Sequence, residues 1–354
     1  MTVNFSPGPS QLYFTTEDHT RAAFRQGIPS LSHRSKMFEQ FYQHTQEQLR
    51  ALLSIPTSHH IFFTASATEI WERIVQNLVA EKSTHFVNGA FSEKFFKAGL
   101  QLNKDAKSIT AEDGDGFSEP IKVDGEIIGI THNETSTGVS LPLDFIYGMK
   151  ELNPSALVCV DAVSSIPFVD FDYNKIDSVY FSVQKGFGMP PGLGVWIVNE
   201  KCIAKSEQLL AKGHSIGTYH SLPSYLANGK KNQTPETPNS VAIYVLGKIA
   251  EDMNRRGINA IRKETLYKST ILYQALQSHE KINAFVGKKE YQSSTVVIAD
   301  CGEHTNSVIH HLNNKGIDPG EGYGKHKNYQ LRFANFPAHS KEQFEQLVDS
   351  LNSF

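Results

Sequence analysis

The stretch Ala156-Leu-Val-Cys-Val-Asp161 decides the fold class, because it is a short, continuous apolar run that ends on an acidic residue. A second run of this kind, Glu126-Ile-Ile-Gly-Ile-Thr131, precedes it in the chain. Strands that are buried on both faces show such runs, whereas strands with one solvated face alternate apolar and polar residues. The two runs therefore predict strands of a parallel sheet that helices cover on both sides.

Helix and strand patterns alternate on either side of these runs. Apolar residues recur at helical spacing over residues 68–78, and residues 84–87 then predict a short strand. Ser92 is predicted as the N-cap of a helix over residues 93–102. Two more apolar stretches predict strands at 177–183 and 193–198. This alternation predicts an α/β fold with a mostly parallel sheet.

The composition of the chain changes near residue 228. The polar stretch 228–239 carries two prolines and predicts a loop, and a helix pattern follows from 241 to about 254. The remaining chain predicts a strand at 294–299, a helix at 306–313, a strand at 330–334 and a final helix from Ser340. We expect three parts: an N-terminal segment (1–15) that packs near the site, a large domain (16–245) and a small α+β C-terminal domain (246–354).

Composition argues against several classes of protein. The 354 residues include 34 Lys and Arg against 37 Asp and Glu, so the net charge of −3 lacks the basic excess of a nucleic-acid-binding protein. No apolar run approaches the roughly 20 residues of a membrane-spanning helix, and the N-terminus shows no signal-peptide pattern. Three scattered cysteines (Cys159, Cys202 and Cys301) indicate reduced thiols. We therefore expect a cytoplasmic protein that binds neither nucleic acid nor membrane.

Neither a metal site nor a nucleotide-binding loop is predicted. The histidine pairs His59-His60 and His310-His311 consist of adjacent residues, and adjacent side chains on a strand or helix point apart. The sequence contains no P-loop and no glycine-rich dinucleotide-binding pattern.

Polar residues stand where four of the predicted strands end. Asp161 and Lys185 end strands, Thr135 follows another, and Thr64-Ala-Ser-Ala-Thr68 leads from a strand-like stretch into a helix. Because ligands bind outside the carboxyl ends of parallel strands, these groups should share one site. Alone, each has an ordinary explanation: the acid caps a turn, the lysine is solvated and the small residues pack. Together, an amine, an acid and a helix N-terminus are the groups that pyridoxal phosphate requires.

Five short motifs carry a resemblance to one family. They are Ser6-Pro-Gly-Pro9, Ser32-His-Arg-Ser35, Asn133-Glu-Thr-Ser-Thr-Gly138, Val160-Asp-Ala-Val-Ser-Ser165 and Ser182-Val-Gln-Lys-Gly186. Over nearly its whole length the chain resembles the class V aminotransferases of fold type I. The resemblance implies an enzyme that uses pyridoxal phosphate and has a large and a small domain. It also implies a homodimer with shared active sites.

The resemblance assigns the matching residues to the cofactor. Lys185 would form the Schiff base and then move the proton between substrate and cofactor, and Asp161 would keep the pyridine nitrogen protonated. Phe91 would stack on the ring, and Thr135 would contact its phenolic oxygen side. The phosphate would be bound by Ala67, Thr68 and Gln184, while Gln233 and Thr234 would reach across the dimer to the partner's cofactor.

Cationic side chains would bind the substrate. The resemblance assigns Arg332 and Arg34, with His33 beside it, to the substrate carboxylate and the charged distal group. Within the class the chain is most similar to the phosphoserine aminotransferases. Their distal group is a phosphate, which needs fixed positive charge.

Three positions depart from the phosphoserine aminotransferase pattern. Ala65-Ser-Ala-Thr68 replaces a Gly-Gly-Arg turn, and Phe91 replaces a tryptophan. Gly324-Lys-His-Lys327 replaces Gly-His-Arg, a motif that would bind the phosphate. Lys325, His326 and Lys327 could supply this charge instead, or the turn is simply solvated.

Three functions remain open at this point. The first is transamination between O-phospho-L-serine and 2-oxoglutarate in serine biosynthesis. The second is another class V activity, either an alanine or serine aminotransferase that uses glyoxylate or pyruvate, or a lyase. A cysteine desulfurase would need a mobile nucleophilic cysteine, and Cys301 follows a strand-like run. The third is a non-catalytic scaffold, against which the presence of Lys185 and Asp161 argues. A panel of amino donors and acceptors separates the first two.

Overall fold

The structure, a computed structural model, describes residues 2–354, so Met1 of the predicted N-terminal segment lies outside the described residues. The helices are α1 (Thr16–Arg25), α2 (Lys36–Leu53), α3 (Ala67–Leu78), α4 (Ala90–Gln101), α5 (Leu143–Leu152), α6 (Glu200–Ala211), α7 (Leu222–Gly229), α8 (Ser240–Arg256), α9 (Ile258–Ser278), α10 (Thr305–Asn314) and α11 (Lys341–Asn352). The strands are β1 (Val3–Asn4), β2 (His59–Thr64), β3 (Lys82–Val87), β4 (Asp105–Thr110), β5 (Ile127–Thr131), β6 (Asn133–Glu134), β7 (Val139–Ser140), β8 (Leu157–Asp161), β9 (Ser178–Ser182), β10 (Gly194–Asn199), β11 (Asn283–Ala284), β12 (Val296–Asp300), β13 (Ile317–Asp318), β14 (Gly320–Glu321) and β15 (Gln330–Ala334).

Seven strands form the central sheet in the order β2-β10-β9-β8-β5-β3-β4. The pairs β3–β4, β3–β5, β5–β8 and β8–β9 are parallel. Strand β10 is antiparallel to both of its neighbours, β2 and β9, so those two run in the same direction. The carboxyl ends of six strands therefore lie at one edge, and the mostly parallel sheet predicted from the sequence is confirmed.

Both faces of the sheet are covered. In β8, Val158 and Val160 belong to an apolar cluster that includes residues of α2 and α8, whereas Leu157 and Cys159 belong to a second cluster with residues of α3. All four side chains are buried. This is the arrangement that the continuous apolar runs predict, because each alternate residue finds a helix-covered core.

Helix α4 begins earlier than the sequence predicts. Ser92 was expected to be its N-cap, but the helix starts at Ala90 and Ser92 lies in its first turn. The N-cap residue, Gly89, has no capping side chain. The N–H groups at this helix start are instead satisfied by a carboxylate from another element, which is described below.

The small domain is built on an antiparallel sheet in the order β11-β12-β15-β14. Helices α9, α10 and α11 contribute to its apolar core, together with Val297 and Phe333 of the sheet. The N-terminal strand β1 pairs in parallel with β13, so that Val3 lies opposite Ile317. The first residues of the chain are thereby attached to the small domain before the chain enters the large one.

The domain boundary predicted at residue 245 falls inside helix α8. Val245 is buried, and the buried face of α8 packs in the same apolar cluster as α2. Because a helix that is packed on one core along its length belongs to that domain, we propose that the boundary lies at Gly257. Gly257 has a φ of 85° and separates α8 from α9, a conformation that favours glycine.

No helix in residues 2–354 combines the length and the apolar character that crossing a bilayer requires. The same residues contain no group of three or more His, Cys, Asp and Glu side chains arranged to hold a metal ion. Cys159, Cys202 and Cys301 are all buried and form no disulfide within this part of the chain.

Candidate active site

A cavity with about 690 Å³ of empty space lies at the edge of the sheet where the parallel strands end. Residues from the N-terminal segment, from both sides of the sheet and from the small domain line it. They are Pro7, Gly8, Ala67, Thr68, Trp71, Phe91, Thr131, Asn133, Thr135, Asp161, Val163, Ser182, Gln184, Lys185, Tyr323 and Arg332. Eight residues that the sequence assigned to a site therefore lie together.

Lys185 lies at the base of the cavity, three residues after β9. Its side chain is almost fully buried, and its Nζ donates to Thr135 Oγ1 over 2.7 Å. Burial lowers the pKa of Lys185 from its ordinary value of 10.5 to about 8, because a charged ammonium is poorly solvated there. A substantial fraction of the amine is consequently neutral near pH 8, the form that attacks a carbonyl carbon.

Two glycines make room for this lysine. A Cβ on Gly186 would lie 2.0 Å from the carbonyl oxygen of Ile166, so only glycine fits directly after Lys185. A Cβ on Gly8 would approach the Lys185 Cε to 3.0 Å, and Gly8 has a φ of +153°. The N-terminal segment therefore packs against the lysine side chain.

Asp161 ends β8 and is buried at the opposite side of the cavity base. Its Oδ1 accepts the N–H of Val163 over 3.0 Å, and its Oδ2 accepts the indole N–H of Trp71 over 3.1 Å. Burial raises the pKa of Asp161 to about 6. The carboxylate forms no ion pair with a side chain of residues 2–354, so it can accept a cationic nitrogen from a ligand.

Trp71 is a site residue that the sequence did not reveal as one. It lies on the buried face of α3 at helical spacing with Ile70 and Ile74, a pattern that is typical of core residues. The only local signal is the tryptophan itself, since a buried indole N–H requires an acceptor.

The N-terminus of α3 faces the cavity. Ser66 is its N-cap and accepts the N–H of Glu69 over 3.1 Å, and the Ala67 N–H donates to Ser182 Oγ over 2.7 Å. Ala67 was predicted to offer this N–H to a phosphate, and here a hydroxyl has taken it. Thr68 is exposed in the first turn and lines the cavity with Gln184. The helix dipole favours an anion at this end of α3.

Two aromatic rings form the wall above the lysine. The centroid of the Phe91 ring lies 5.3 Å from Lys185 Nζ and 5.1 Å from the centroid of the Tyr323 ring. Tyr323 Oη accepts a hydrogen bond of 2.7 Å from Lys94. Tyr323 was not predicted, because it belongs to the turn of the small domain and reaches the cavity only through the tertiary fold.

Arg332 brings positive charge to the cavity from β15. Its Nε donates to the carbonyl of Glu321 over 2.6 Å, and its guanidinium lies 5.4 Å from the Tyr323 ring. Burial lowers the pKa of Arg332 to about 10, so the side chain stays charged at neutral pH. A guanidinium held in this way presents its remaining N–H groups to a carboxylate.

Four predicted site residues lie elsewhere in the chain. Arg34 Nη1 donates to Gln233 Oε1 over 2.7 Å, and Thr237 Oγ1 lies 3.4 Å from His33 Nδ1. Thr234 Oγ1 donates to the carbonyl of Glu236. None of His33, Arg34, Gln233 and Thr234 lines the cavity around Lys185. They form a separate group, which we call the Arg34 cluster.

The turn residues Lys325, His326 and Lys327 also lie outside this cavity. The side chains of Lys325 and His326 both contact Asp113 at 2.6 Å, and Lys327 contacts Glu321 at 3.2 Å. Lys325 and His326 line a second, more open cavity on the far side of Tyr323. In this arrangement each of the three side chains already has a carboxylate partner.

The residues present fit pyridoxal phosphate. The cavity combines a buried amine on Lys185, an unpaired buried carboxylate on Asp161 and an aromatic face on Phe91. The helix N-terminus at Thr68 suits the phosphate. The cofactor's aldehyde would thus meet an amine and its pyridine nitrogen a carboxylate. Its flat ring would meet an aromatic face, and its phosphate a helix N-terminus.

Comparison with known proteins agrees with this geometry. The family profile described as "Aminotransferase class-V" matches residues 2–326. A phosphoserine aminotransferase of Rhodococcus opacus is 28% identical over 330 residues, which cover 91% of this chain and 87% of that protein. The crystal structure of a phosphoserine aminotransferase from Cytophaga hutchinsonii is 45% identical, with a TM-score of 0.97 over 99% of this chain and 98% of that one.

A more distant structure shows the fold alone. An alanine–glyoxylate aminotransferase from Nostoc sp. is 19% identical, with a TM-score of 0.83 over 99% of this chain and 94% of that one. Because the profile covers most of the chain, the fold and the expected activity class are confirmed. The chain belongs to the class V aminotransferases, enzymes that use pyridoxal phosphate to exchange an amino group between an amino acid and a 2-oxo acid.

Proposed function

We propose that this enzyme transfers the amino group of O-phospho-L-serine to 2-oxoglutarate, giving 3-phosphohydroxypyruvate and L-glutamate. The observation that carries the proposal is the similarity to the Cytophaga hutchinsonii phosphoserine aminotransferase, which extends over both domains at nearly half identity. The curated relatives of similar length that carry this name support it.

In this proposal Lys185 is the catalytic residue. Its pKa of about 8 lets the amine take up and release a proton near neutral pH, and Thr135 Oγ1 holds the Nζ in place. When bound, the cofactor supplies an electron-withdrawing ring that acidifies the Cα–H of the amino acid. Lys185 would remove the proton from Cα and deliver it to C4′, the carbon of the cofactor's aldehyde group.

The other cavity residues would bind and orient the cofactor. Asp161 would hold the pyridine nitrogen, since its carboxylate is fixed by Trp71 and Val163 and still has free lone pairs. Phe91 would cover one face of the ring. Thr68 and Gln184 would bind the phosphate, and Arg332 would bind the α-carboxylate of the substrate through paired hydrogen bonds.

The Arg34 cluster would complete the site of a second subunit. It contains two predicted cofactor ligands and two predicted substrate ligands, yet it lies outside its own cavity. Four large apolar side chains in the first 40 residues are also exposed: Leu12, Phe14, Phe24 and Met37. Exposed apolar surface of this kind favours association. We therefore propose a homodimer in which each Arg34 cluster serves the partner's cavity.

Subunit mixing tests the shared site. Lys185→Ala chains and Arg34→Met chains should each have little phosphoserine activity as homodimers. In a hybrid, one of the two cavities keeps both wild-type residues, so random mixing should restore about a quarter of wild-type activity. The measurement is phosphoserine turnover after subunit exchange, compared with unmixed controls. No recovery in demonstrated hybrids, or full activity in a monomer, would contradict the shared site.

The cationic turn could still reach the phosphate. The side chains of Lys325 and Lys327 are 75% and 64% exposed, and exposed ion pairs contribute little free energy. Little free energy would therefore be lost if Lys325 left Asp113, or Lys327 left Glu321, to bind a substrate dianion. Because these ion pairs are weak, we propose Lys325, His326 and Lys327 as phosphate ligands beside His33 and Arg34.

Donor selectivity tests the phosphate assignment. Arg34→Met, and separately Lys325→Met with Lys327→Met, should each lower kcat/KM for phosphoserine about tenfold or more, because one charged hydrogen bond contributes about 1.5–3 kcal/mol. The same changes should leave kcat/KM for alanine nearly unaltered, since alanine has no distal charge. Lys315→Met, a change at the surface of the small domain, is the control. Equal losses for both donors would contradict the assignment.

The alternative is an alanine or serine aminotransferase that uses glyoxylate or pyruvate. The pairing of Lys325 and His326 with Asp113, and of Lys327 with Glu321, favours it, because such a turn offers no unpaired positive charge to a phosphate. A wild-type preference for alanine with glyoxylate in the donor panel would establish this alternative.

Two other hypotheses lose support. The scaffold hypothesis is wrong for a member of an aminotransferase family that retains the lysine and the acid. For a desulfurase, Cys301 would have to be mobile and reactive. It is buried in the small-domain core, and burial raises the pKa of its thiol to about 12. A cytoplasmic location stays a prediction from the reduced cysteines.

A further inference from the structure

Glu134 is a buried carboxylate to which the proposed mechanism gives no role. It follows β5 in the chain, immediately before Thr135, and its side chain is completely buried. Its oxygens accept the N–H groups of Phe91 at 3.1 Å, Ser92 at 2.9 Å and Ser136 at 3.1 Å. They also accept the hydroxyls of Ser92 at 3.0 Å and Ser136 at 2.7 Å. Five donors thus stabilise one buried charge without a cation at salt-bridge distance in residues 2–354.

The surrounding backbone leaves space for this carboxylate. A Cβ on Gly89 would lie 2.4 Å from Glu134 Cγ and 2.6 Å from Ser136 Oγ, so a side chain at Gly89 would displace the glutamate. The residue that would ordinarily cap helix α4 is therefore a glycine, and the cap comes from a different element. The negative charge at the helix N-terminus also suits the helix dipole.

Glu134 joins the two groups that flank the catalytic amine. On one side it holds the backbone of Phe91, whose ring centroid is 5.3 Å from Lys185 Nζ. On the other side it is the direct neighbour of Thr135, whose hydroxyl accepts from the same Nζ at 2.7 Å. A helix and a strand end, which the chain separates by some forty residues, are joined by this carboxylate. Two further hydrogen bonds support the junction: the Ala90 N–H donates to Ser136 Oγ and the Thr137 hydroxyl donates to the carbonyl of Asn88.

We propose that Glu134 is a positioning residue that fixes the Phe91 ring relative to Thr135 and thereby sets the gap in which the cofactor ring lies. A cap supplied by α4 itself would stabilise the helix but would leave its distance from the strand end free. A cap supplied from the strand end determines that distance. The negative charge of Glu134 also opposes the effect of burial on the Lys185 pKa.

The inference rests on the proposed placement of the cofactor against Phe91, so the test measures Phe91 separately. The experiment is a double-mutant cycle of Glu134→Gln and Phe91→Leu, read out as the dissociation constant of pyridoxal phosphate from the protein. Glutamine has nearly the same shape but presents an NH₂ to N–H donors. The circular dichroism that the protein induces in the bound cofactor reports ring orientation, independently of turnover.

Glu126→Gln is the matched control. Glu126 also accepts three backbone N–H groups, those of Ala80, Glu81 and Lys82, and its interactions with them lie at the amino ends of the same strands. Glu126 also forms an ion pair with Lys205, so Glu126→Gln removes a charge that is bound as firmly as that of Glu134. A purely structural loss should therefore lower the unfolding temperature of both variants. Only Glu134→Gln should change the dissociation constant and the induced circular dichroism of the cofactor.

We expect Phe91→Leu and Glu134→Gln each to raise the dissociation constant about tenfold, and the double variant to raise it little further, because both act through one ring. Glu134→Gln should alter the induced circular dichroism, and Glu126→Gln should alter only the unfolding temperature. An additive cycle, or unchanged cofactor binding in Glu134→Gln, would overturn the proposal.

The remaining outcomes are also decisive. If Phe91→Leu alone leaves cofactor affinity unchanged, the placement of the cofactor is wrong, whatever Glu134 does. Should Glu134→Gln fail to fold, the cycle is repeated with Glu134→Asp, which keeps the charge and shortens the reach. If neither variant folds, Glu134 is needed for folding itself and the positioning role is rejected.

Discussion

Replacement of Lys185 by alanine should reduce multiple-turnover transamination by at least about 10⁴-fold, because both proton transfer and covalent attachment of the cofactor depend on this amine. The fold should remain intact. The side chain points into an existing cavity and its charged form is already poorly solvated there, so its loss removes a charge that burial disfavours. The measurements are kcat with phosphoserine, the visible absorption of the protein with cofactor and the unfolding temperature without it.

A second buried lysine provides the control for this change. Lys268 in α9 is fully buried, and its Nζ donates to the carbonyls of Phe336 and His339. Lys268→Ala should lower the unfolding temperature, since it leaves buried carbonyls without a donor, while transamination is retained. Sustained turnover by purified Lys185→Ala would show that the amine has been assigned to the wrong residue.

Asp161→Asn should lower kcat by about 10³-fold, a loss typical of removing one preorganised charge from an active site. The neutral amide cannot stabilise a protonated pyridine nitrogen. It also has a single oxygen for two N–H donors, those of Trp71 and Val163, so one donor would face its NH₂ group. The measurement is kcat at saturating substrate and cofactor.

The pH dependence of cofactor binding adds a second readout for Asp161. Burial raises its pKa to about 6, so the carboxylate is ionised above that pH and protonated below it. Cofactor affinity of the wild type should therefore fall as the pH drops through about 6, and Asp161→Asn should lose this dependence. Asp177→Asn, at a buried aspartate that accepts the Val158 N–H, should keep it. Identical profiles for wild type and Asp161→Asn would contradict the role.

Sequence patterns predicted those elements whose burial is local and periodic. The strand at 330–334 has the predicted bounds, and α3 begins one residue before the predicted start. Strand β4 was missed because it is an edge strand, exposed along much of its length and poor in apolar residues. Helix α2 was missed although Ser35 caps it and its buried residues recur at helical spacing.

The antiparallel direction of β10 could have been predicted from the length of the loop that precedes it. Only residues 183–193 connect it to β9, and a parallel crossover needs about a dozen residues or more, usually with a helix. A shorter connection implies an antiparallel neighbour. The start of α4 could not be predicted in this way, because the carboxylate of Glu134 that caps it is far away in the sequence.

The residues of the site also fall into those that the sequence predicts and those that only the tertiary structure reveals. Lys185, Asp161 and Thr135 were predictable because strand ends of a parallel sheet converge. Trp71 and Tyr323 were not, since one resembles a core residue and the other reaches the cavity from the small domain. The Arg34 cluster needs a second subunit before it can be assigned to any cavity.

The pairing of β1 with β13 constrains when this enzyme can become active during its synthesis. Val3 is synthesised long before Ile317, so it has no strand partner until this part of the small domain has been translated. Gly8, which packs on Lys185, lies between this strand pair and Ser10, whose N–H donates to the carbonyl of Gln184. A nascent chain that already contains the whole large domain thus still has an unfinished lysine pocket. The cavity around Lys185 is therefore completed only after β13 and the rest of the small domain have been synthesised, and loss of either β1 or β13 would disturb the same cavity.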